Sequence, residues 1–147
     1  MLPLGTLTLD VTRGWWGAAL DVGFSGASSR RIDPGSVSAA WQWLSLSARG
    51  AWAVTQRLLV ELQAGVRGLR LDAVATGYDR VEPRQVLLSF GGVASVGASF
   101  TLVGPLAVSV RATGVVKPPE RFVITNVGVF DLGALEATVS AGAVVRW

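Results

Sequence analysis

The chain has 147 residues, of which 50% are hydrophobic and 16% charged, and its 13 Lys and Arg against 10 Asp and Glu give a net charge of +3. Soluble domains carry about 25% charged residues, so this composition, with a mean hydropathy of +0.48, favours an apolar environment. Cysteine and histidine are absent, which excludes disulfides and thiolate metal sites and removes the commonest general base, and the scattered basic residues argue against nucleic-acid binding.

The dominant pattern is an alternation of apolar with small or polar residues, which recurs from end to end of a single predicted domain, 1–147. Strand side chains point to opposite faces with period two, so each such segment predicts a strand with one apolar face. In chain order the predicted strands are 5–12, 15–25, 37–53, 58–71, 85–101, 106–115 and 134–147. A break in the alternation between Trp43 and Leu44 predicts either a β-bulge or a strand that bends as it leaves the membrane. Segment 122–131 is ambiguous between a membrane strand and part of an outer hairpin.

The connections between these strands alternate in length. Short turns are predicted at 12–15, 54–57 and 102–105, and long polar loops at 26–36, 72–84 and 116–133. Bacterial outer-membrane barrels have this asymmetry, with short periplasmic turns and long outer loops. The apolar strand faces need a cover, which is a second layer in a soluble protein and lipid in a membrane barrel.

Aromatic residues lie near the ends of the predicted strands, where a membrane barrel carries two girdles at headgroup depth. Those near a short turn or the C-terminus are Trp15, Trp16, Trp52, Phe100 and Trp147. Those nearer the long loops are Phe24, Trp41, Trp43, Phe90 and Phe122. The alternative is a soluble sandwich whose tryptophans pack the core, but core aromatics would favour strand centres.

With these features the chain resembles small bacterial outer-membrane β-barrel proteins of about eight strands. Members of that class usually end in an alternating strand closed by an aromatic residue, which the outer-membrane assembly machinery recognises. Residues 135–147 fit, with Trp147 as the assembly signal in place of the usual Phe. The resemblance implies an all-β, antiparallel up-and-down transmembrane β-barrel, porin-like in build. It also implies a place in the outer membrane of a Gram-negative bacterium, with membrane lipid, the assembly machinery and lipopolysaccharide as partners.

The strand count departs from that class, because seven strands are predicted and bacterial single-chain barrels have an even number. We expect eight strands in the complete barrel, with the missing one either before Met1 or supplied by another chain. The N-terminal residues lack the features of a secretion signal, which fits a trimmed or fragmentary chain. Whether the protein is monomeric or oligomeric is left open.

The polar parity of the strands carries charged residues that would face the lumen. These are Asp10, Asp21, Glu61, Glu136, Arg49, Arg67, Arg111 and Arg146. Similar distances from the short turns predict an Asp21–Arg49–Glu61 network, with Arg111 facing it across the lumen. Buried charges need partners, and an eight-stranded barrel is just wide enough to be filled by side chains. A salt-bridged plug is therefore favoured over an ion-selective constriction.

No catalytic, cofactor or metal site is expected. Asp21 and Glu61 are the one carboxylate pair at similar depth, and an arginine between them would stabilise both ionised forms, which opposes general-acid chemistry. The expected function is a non-catalytic outer-membrane barrel with a structural, adhesive or surface-interaction role through its long outer loops. The loop cations are either solvated or contact lipopolysaccharide phosphates. They are Arg30, Arg31, Arg80, Arg84, Lys117 and Arg121.

Three alternatives to this function stay open. The first is a narrow channel for ions or small solutes. The second is a soluble lipocalin-like barrel that binds an apolar ligand, in which the strand faces would be inverted. The third is a helical membrane protein, since 85–110 carries no charge and is long enough to span a bilayer, although Gly91, Gly92 and Pro105 oppose a helix.

Overall fold

A computed structural model describes residues 3–32, 35–77, 84–124 and 128–145. Their secondary structure is entirely β, and none of them forms a helix long and apolar enough to cross a membrane. The strands are β1 (Pro3–Arg13), β2 (Trp16–Ser25), β3 (Ser28–Ile32), β4 (Gly35–Ala53), β5 (Leu58–Thr76), β6 (Arg84–Val103), β7 (Leu106–Val116), β8 (Glu120–Ile124), β9 (Gly128–Leu132) and β10 (Leu135–Val145). All seven predicted strands are present, so the all-β prediction is confirmed.

The main sheet is an antiparallel up-and-down sheet with the order β1-β2-β4-β5-β6-β7-β10. The short β3 pairs with residues 35–39 of β4, whereas β2 pairs with residues 42–50 of the same strand. Strands β8 and β9 form a separate two-stranded sheet. In the described residues β1 and β10 are edges that do not pair with each other, so the sheet is curved but not closed into a barrel.

All three predicted long loops contain strand residues. Segment 26–36 includes β3 and the start of β4, and β5 continues to Thr76, well into the predicted loop 72–84. Of the ambiguous segment 122–131, residues 122–124 and 128–131 belong to β8 and β9, which pair with each other outside the main sheet. Charged and polar residues obscured these elements, because strands that extend past an apolar region lose the alternation that marks them.

The predicted β-bulge at Trp43 is wrong. The pairing of β4 with β2 and with β5 runs through Trp43 and Leu44 without a shift in register. Trp43 keeps the face of Ser45 and Ser47, while Leu44 begins the apolar run on the other face. The sequence suggested a slip because both faces of β4 are apolar at this point.

Tight turns join the strands at one end of the sheet. Gly14 and Gly104 adopt φ angles of 67° and 53°, which an L side chain rarely tolerates and which suit two-residue hairpin turns. In the third connection the Thr55 hydroxyl accepts hydrogen bonds from the backbone N–H groups of Arg57 and Leu58. These three short connections agree with the predicted turns.

One face of the sheet buries polar side chains and the other exposes large apolar ones, which is the reverse of the pattern in soluble proteins. The concave face buries small and polar side chains such as Ser45 and Glu61, which are 1% and 5% exposed. The convex face exposes large apolar side chains, among them Val66 at 64% and Phe90 at 73%. Apolar side chains are also buried on the concave side, among them a small cluster of Leu69 with Val93 and Val115. The sheet therefore encloses a polar interior and presents an apolar exterior.

Candidate functional site

A network of five charged residues crosses the concave face, and Glu61 of β5 lies at its centre. Arg49 of β4 donates from Nε to Glu61 Oε2 at 3.1 Å, and Arg111 of β7 donates from Nη2 to Glu61 Oε1 at 2.8 Å. Arg111 Nη1 also donates to Asp21 Oδ1 of β2 at 3.2 Å, and Arg49 Nη1 lies 3.8 Å from Asp10 Oδ2 of β1. We call these five residues the central network.

The central network contains the four residues that the sequence placed together, but it joins them differently. The expected Asp21–Arg49 contact is replaced by Asp21–Arg111, and Thr8 Oγ1 donates a further hydrogen bond to Asp21 at 2.6 Å. In the sheet, β2 and β7 are separated by β4, β5 and β6. Arg111 can reach Asp21 only because the sheet curls, and this three-dimensional proximity is not visible from depth along the strands.

Glycine on the concave face makes room for this network. Gly97 pairs with both Glu61 and Arg111, so it lies between them in neighbouring strands. A Cβ added at Gly97 would lie 3.0 Å from Glu61 Oε1 and 3.1 Å from its Cγ. The missing side chain lets the carboxylate and the guanidinium meet across β6.

Two cations lie further towards the long connections, each against a tryptophan. The Arg67 guanidinium lies 5.8 Å from the Trp43 ring centroid, and its Nε donates to Ser45 Oγ at 2.8 Å. Lys117 Nζ lies 5.1 Å from the Trp41 ring centroid and 2.9 Å from Glu136 Oε1. The Lys117–Glu136 contact is an ion pair by distance, without the geometry of a hydrogen bond.

These positions correct two sequence predictions. Trp41 and Trp43 lie on the concave face rather than in an exterior girdle, because they share the parity of Ser45. Lys117 is buried, not a solvated loop cation, although it follows the end of β7. The parity of Arg111 and Val115 extends to Lys117 and was the signal that could have located it.

Six of the other predicted girdle residues are exposed, namely Trp15, Trp16, Phe24, Trp52, Phe90 and Phe100. Trp15, Trp16, Trp52 and Phe100 lie at the short-turn end, and the Trp15 and Trp52 rings stack with centroids 6.4 Å apart. Phe24 is exposed towards the opposite end of β2. Arg146 and Trp147 lie outside the described residues, so the predicted assembly signal and the eighth lumen charge stay predictions.

The convex face carries a continuous band of uncharged residues, which we call the apolar belt. In β5 it covers 58–68 and in β6 it covers the residues opposite, 90–100, with no charged side chain on the convex parity of either segment. Beyond the belt, at the long-connection end, Asp72 lies 3.1 Å from both Arg70 Nε and Arg84 Nη2. Charge on this face of β5 and β6 is thus confined to one rim.

A cavity of about 370 Å³ lies within the curve of the sheet, and residues from all seven strands of the main sheet contribute to its lining. Its wall combines apolar groups, including both concave tryptophans, with the polar side chains of Gln63, Arg67 and Arg111. This lining makes the cavity a polar lumen with one aromatic side.

The fold defines an all-β protein built on an antiparallel up-and-down sheet of seven strands, with a charged interior. No protein-family model matches the chain, and no curated protein matches it in sequence.

Proposed function

We propose that the protein is an integral outer-membrane β-barrel without catalytic activity, whose convex face contacts lipid and whose central network forms a plug across the lumen. The observation that carries this proposal is the apolar belt. Large apolar side chains stand exposed over the whole convex face, and monomeric soluble proteins rarely expose contiguous apolar patches larger than a few hundred Å². Lipid is the cover that suits such a surface on a β-sheet, because a closed barrel satisfies its backbone groups internally.

The belt has the height of a bilayer core. Residues 58–68 of β5 extend over about 33 Å along the strand, at a rise of about 3.3 Å per residue. A strand tilted by about 40° then covers about 25 Å along the membrane normal, the height of the apolar band in outer-membrane barrels. The aromatic residues Trp16, Trp52 and Phe100 lie at one border of this band, where amphipathic rings are favoured.

A soluble lipocalin-like protein would need the opposite arrangement of faces. Its apolar residues would line the interior, and charged residues would cover the outside. Here the interior holds Arg49, Glu61 and Arg111, and the exterior holds the belt. This distribution supports the membrane proposal over the soluble alternative.

Closure of the barrel is part of the proposal. Seven up-and-down strands leave β1 and β10 running in the same direction, so the two edges cannot pair antiparallel with each other. One further strand, antiparallel to both, would satisfy both edges and give the even number typical of bacterial barrels. Without it both edges present unpaired backbone groups, which are costly in a hydrocarbon environment.

The central network supports a plug rather than a pore. Glu61 accepts from Arg49 and Arg111 simultaneously, so three side chains from three strands are locked across the lumen. A narrow ion channel is the second candidate, and conductance across a planar bilayer distinguishes the two. A plug gives no steady conductance, whereas a channel gives discrete openings.

Lipopolysaccharide is the proposed partner of the rim beyond the belt. Arg70 and Arg84 flank a single carboxylate, Asp72, and both guanidiniums are about half exposed or more. Arginine can bind phosphate through two parallel hydrogen bonds. This rim and the long connections are where the proposed structural or adhesive role would be exerted.

Site-directed labelling tests the lipid contact, and the absence of cysteine makes single-cysteine variants clean. Val66→Cys places a thiol in the belt, and Gln56→Cys places one in a short turn as the control. After reconstitution, a fluorophore at 66 should be quenched by brominated lipid and one at 56 should not. Equal reaction of both thiols with a membrane-impermeant maleimide would argue against the proposal.

A further inference from the structure

We propose that the lumen cavity binds a small organic anion, a carboxylate with a planar apolar body, and that Arg67 is its main anchor. The inference rests on the concave side of the sheet alone. It concerns a binding site that the proposed membrane function does not require.

Arg67 is the cation of the cavity that lacks a carboxylate partner. Among the described residues no Asp or Glu forms an ion pair with it. Its contacts are one hydrogen bond to a neutral hydroxyl, Ser45 Oγ, and the face of the Trp43 ring. Arg67 is partly buried, and a guanidinium partly removed from water without a charged partner is costly, so an anion beside it would be stabilised.

The carboxylates that line the cavity are already engaged. Asp21 accepts from Arg111 and from Thr8, and Glu136 pairs with Lys117. Neither is within ion-pair distance of Arg67. The central network holds three carboxylates and two guanidiniums, so Arg67 balances its excess negative charge across the lumen, but among the described residues no carboxylate contacts Arg67 directly, and that place beside it is open to a ligand anion.

A second donor faces the same cavity. Gln63 is 6% exposed, and its Nε2 is buried with no hydrogen-bond partner among the described residues. Its Oε1 is within 3.4 Å of the Ser95 hydroxyl. Gln63 and Arg67 lie on the same face of β5, four residues apart, and both line the cavity. A buried amide without a partner costs free energy, which a ligand oxygen would recover.

The other wall of the cavity suits an apolar body. Trp41, Trp43, Leu69 and Val93 contribute to its lining. Trp43 is held in place because its ring packs over Gly23, where a Cβ would overlap the ring. A volume of about 370 Å³ is within the range of small-molecule pockets and accommodates a substituted benzene ring.

Fluorine NMR tests the assignment with 4-fluorobenzoate as the probe and the full chain folded in non-ionic detergent. We expect saturable broadening of its ¹⁹F signal, with 4-fluorobenzamide, a neutral analogue of the same shape, binding at least about tenfold more weakly. Tenfold in binding corresponds to about 1.4 kcal/mol, which is about the difference between a charge-assisted and a neutral hydrogen bond. Equal binding of the two probes, or preferential binding of 4-fluorobenzylammonium, would overturn the proposal.

Two variants locate the site. Arg67→Gln should weaken 4-fluorobenzoate binding about tenfold or more, and Arg57→Gln, which removes an exposed arginine in the short turn before β5, should leave it unchanged. Unchanged binding by a folded Arg67→Gln variant would refute the site. A β-type circular dichroism spectrum for each variant shows that it is folded, so a failed membrane insertion would leave this test intact.

Discussion

Replacing Leu62 with arginine distinguishes between a belt that contacts lipid and a belt that contacts water. Leu62 is 49% exposed on the convex face, near the middle of 58–68. In a bilayer an arginine at the midplane of a barrel costs about 2–4 kcal/mol. That cost equals a roughly 30- to 700-fold change in the unfolding equilibrium, at about 1.4 kcal/mol per tenfold. If water covered the belt, the same surface substitution would change stability by no more than about 0.5 kcal/mol.

Leu102 supplies the matched control, because it is also 49% exposed on the convex face but lies beside the turn at Gly104. Arginine near the membrane interface costs only about 0–1 kcal/mol. Denaturant unfolding in lipid vesicles, followed by tryptophan fluorescence, gives both free energies. Equal and small effects for Leu62→Arg and Leu102→Arg would refute the reasoning, since exposure alone would then determine the cost.

Three further outcomes follow from the same geometry. Gly97→Val should destabilise the fold by about 1–3 kcal/mol, because the new side chain would overlap the Glu61 side chain. Gly92→Val, on the open convex face, should not destabilise it. Equal denaturation midpoints for the two variants would contradict this prediction. Glu61→Gln should lower the free energy of unfolding by about 3 kcal/mol, because two guanidiniums lose their shared charge partner. A decrease below about 1 kcal/mol in chemical unfolding would show that the central network is dispensable for stability. The double variant Arg70→Ala, Arg84→Ala should bind lipopolysaccharide vesicles several-fold more weakly than the parent. Its binding to neutral phospholipid vesicles should be unchanged. An equal loss of binding to both kinds of vesicle would show that the rim does not bind lipopolysaccharide specifically.

The strands could be predicted from the sequence because alternation depends only on local geometry. Each residue's face follows from its parity, so the concave placement of Asp21, Glu61 and Arg111 was accessible without coordinates. The apolar exposure of the convex face follows from the same rule. The predicted short turns were accessible as well, since glycine or proline marks two of them and the polar run 55–57 marks the third.

Other features depend on which side chains meet in three dimensions, and the alternation along each strand does not specify this. The Asp21–Arg111 contact requires the curl of the sheet across three intervening strands. Trp41 and Trp43 lie near a loop, which predicted a girdle position, but their parity places them on the concave face. Lys117 was assigned to a loop by the prolines that follow it, although its side chain continues the concave face of β7.

The most direct test of the membrane proposal is folding with and without an apolar phase. Far-UV circular dichroism and heat-modifiable gel mobility would be recorded on the full chain refolded into detergent micelles and, separately, in detergent-free buffer. A barrel whose apolar belt contacts lipid predicts a β spectrum and a mobility shift in micelles only. A soluble, cooperatively folded β-protein in detergent-free buffer would contradict the membrane account.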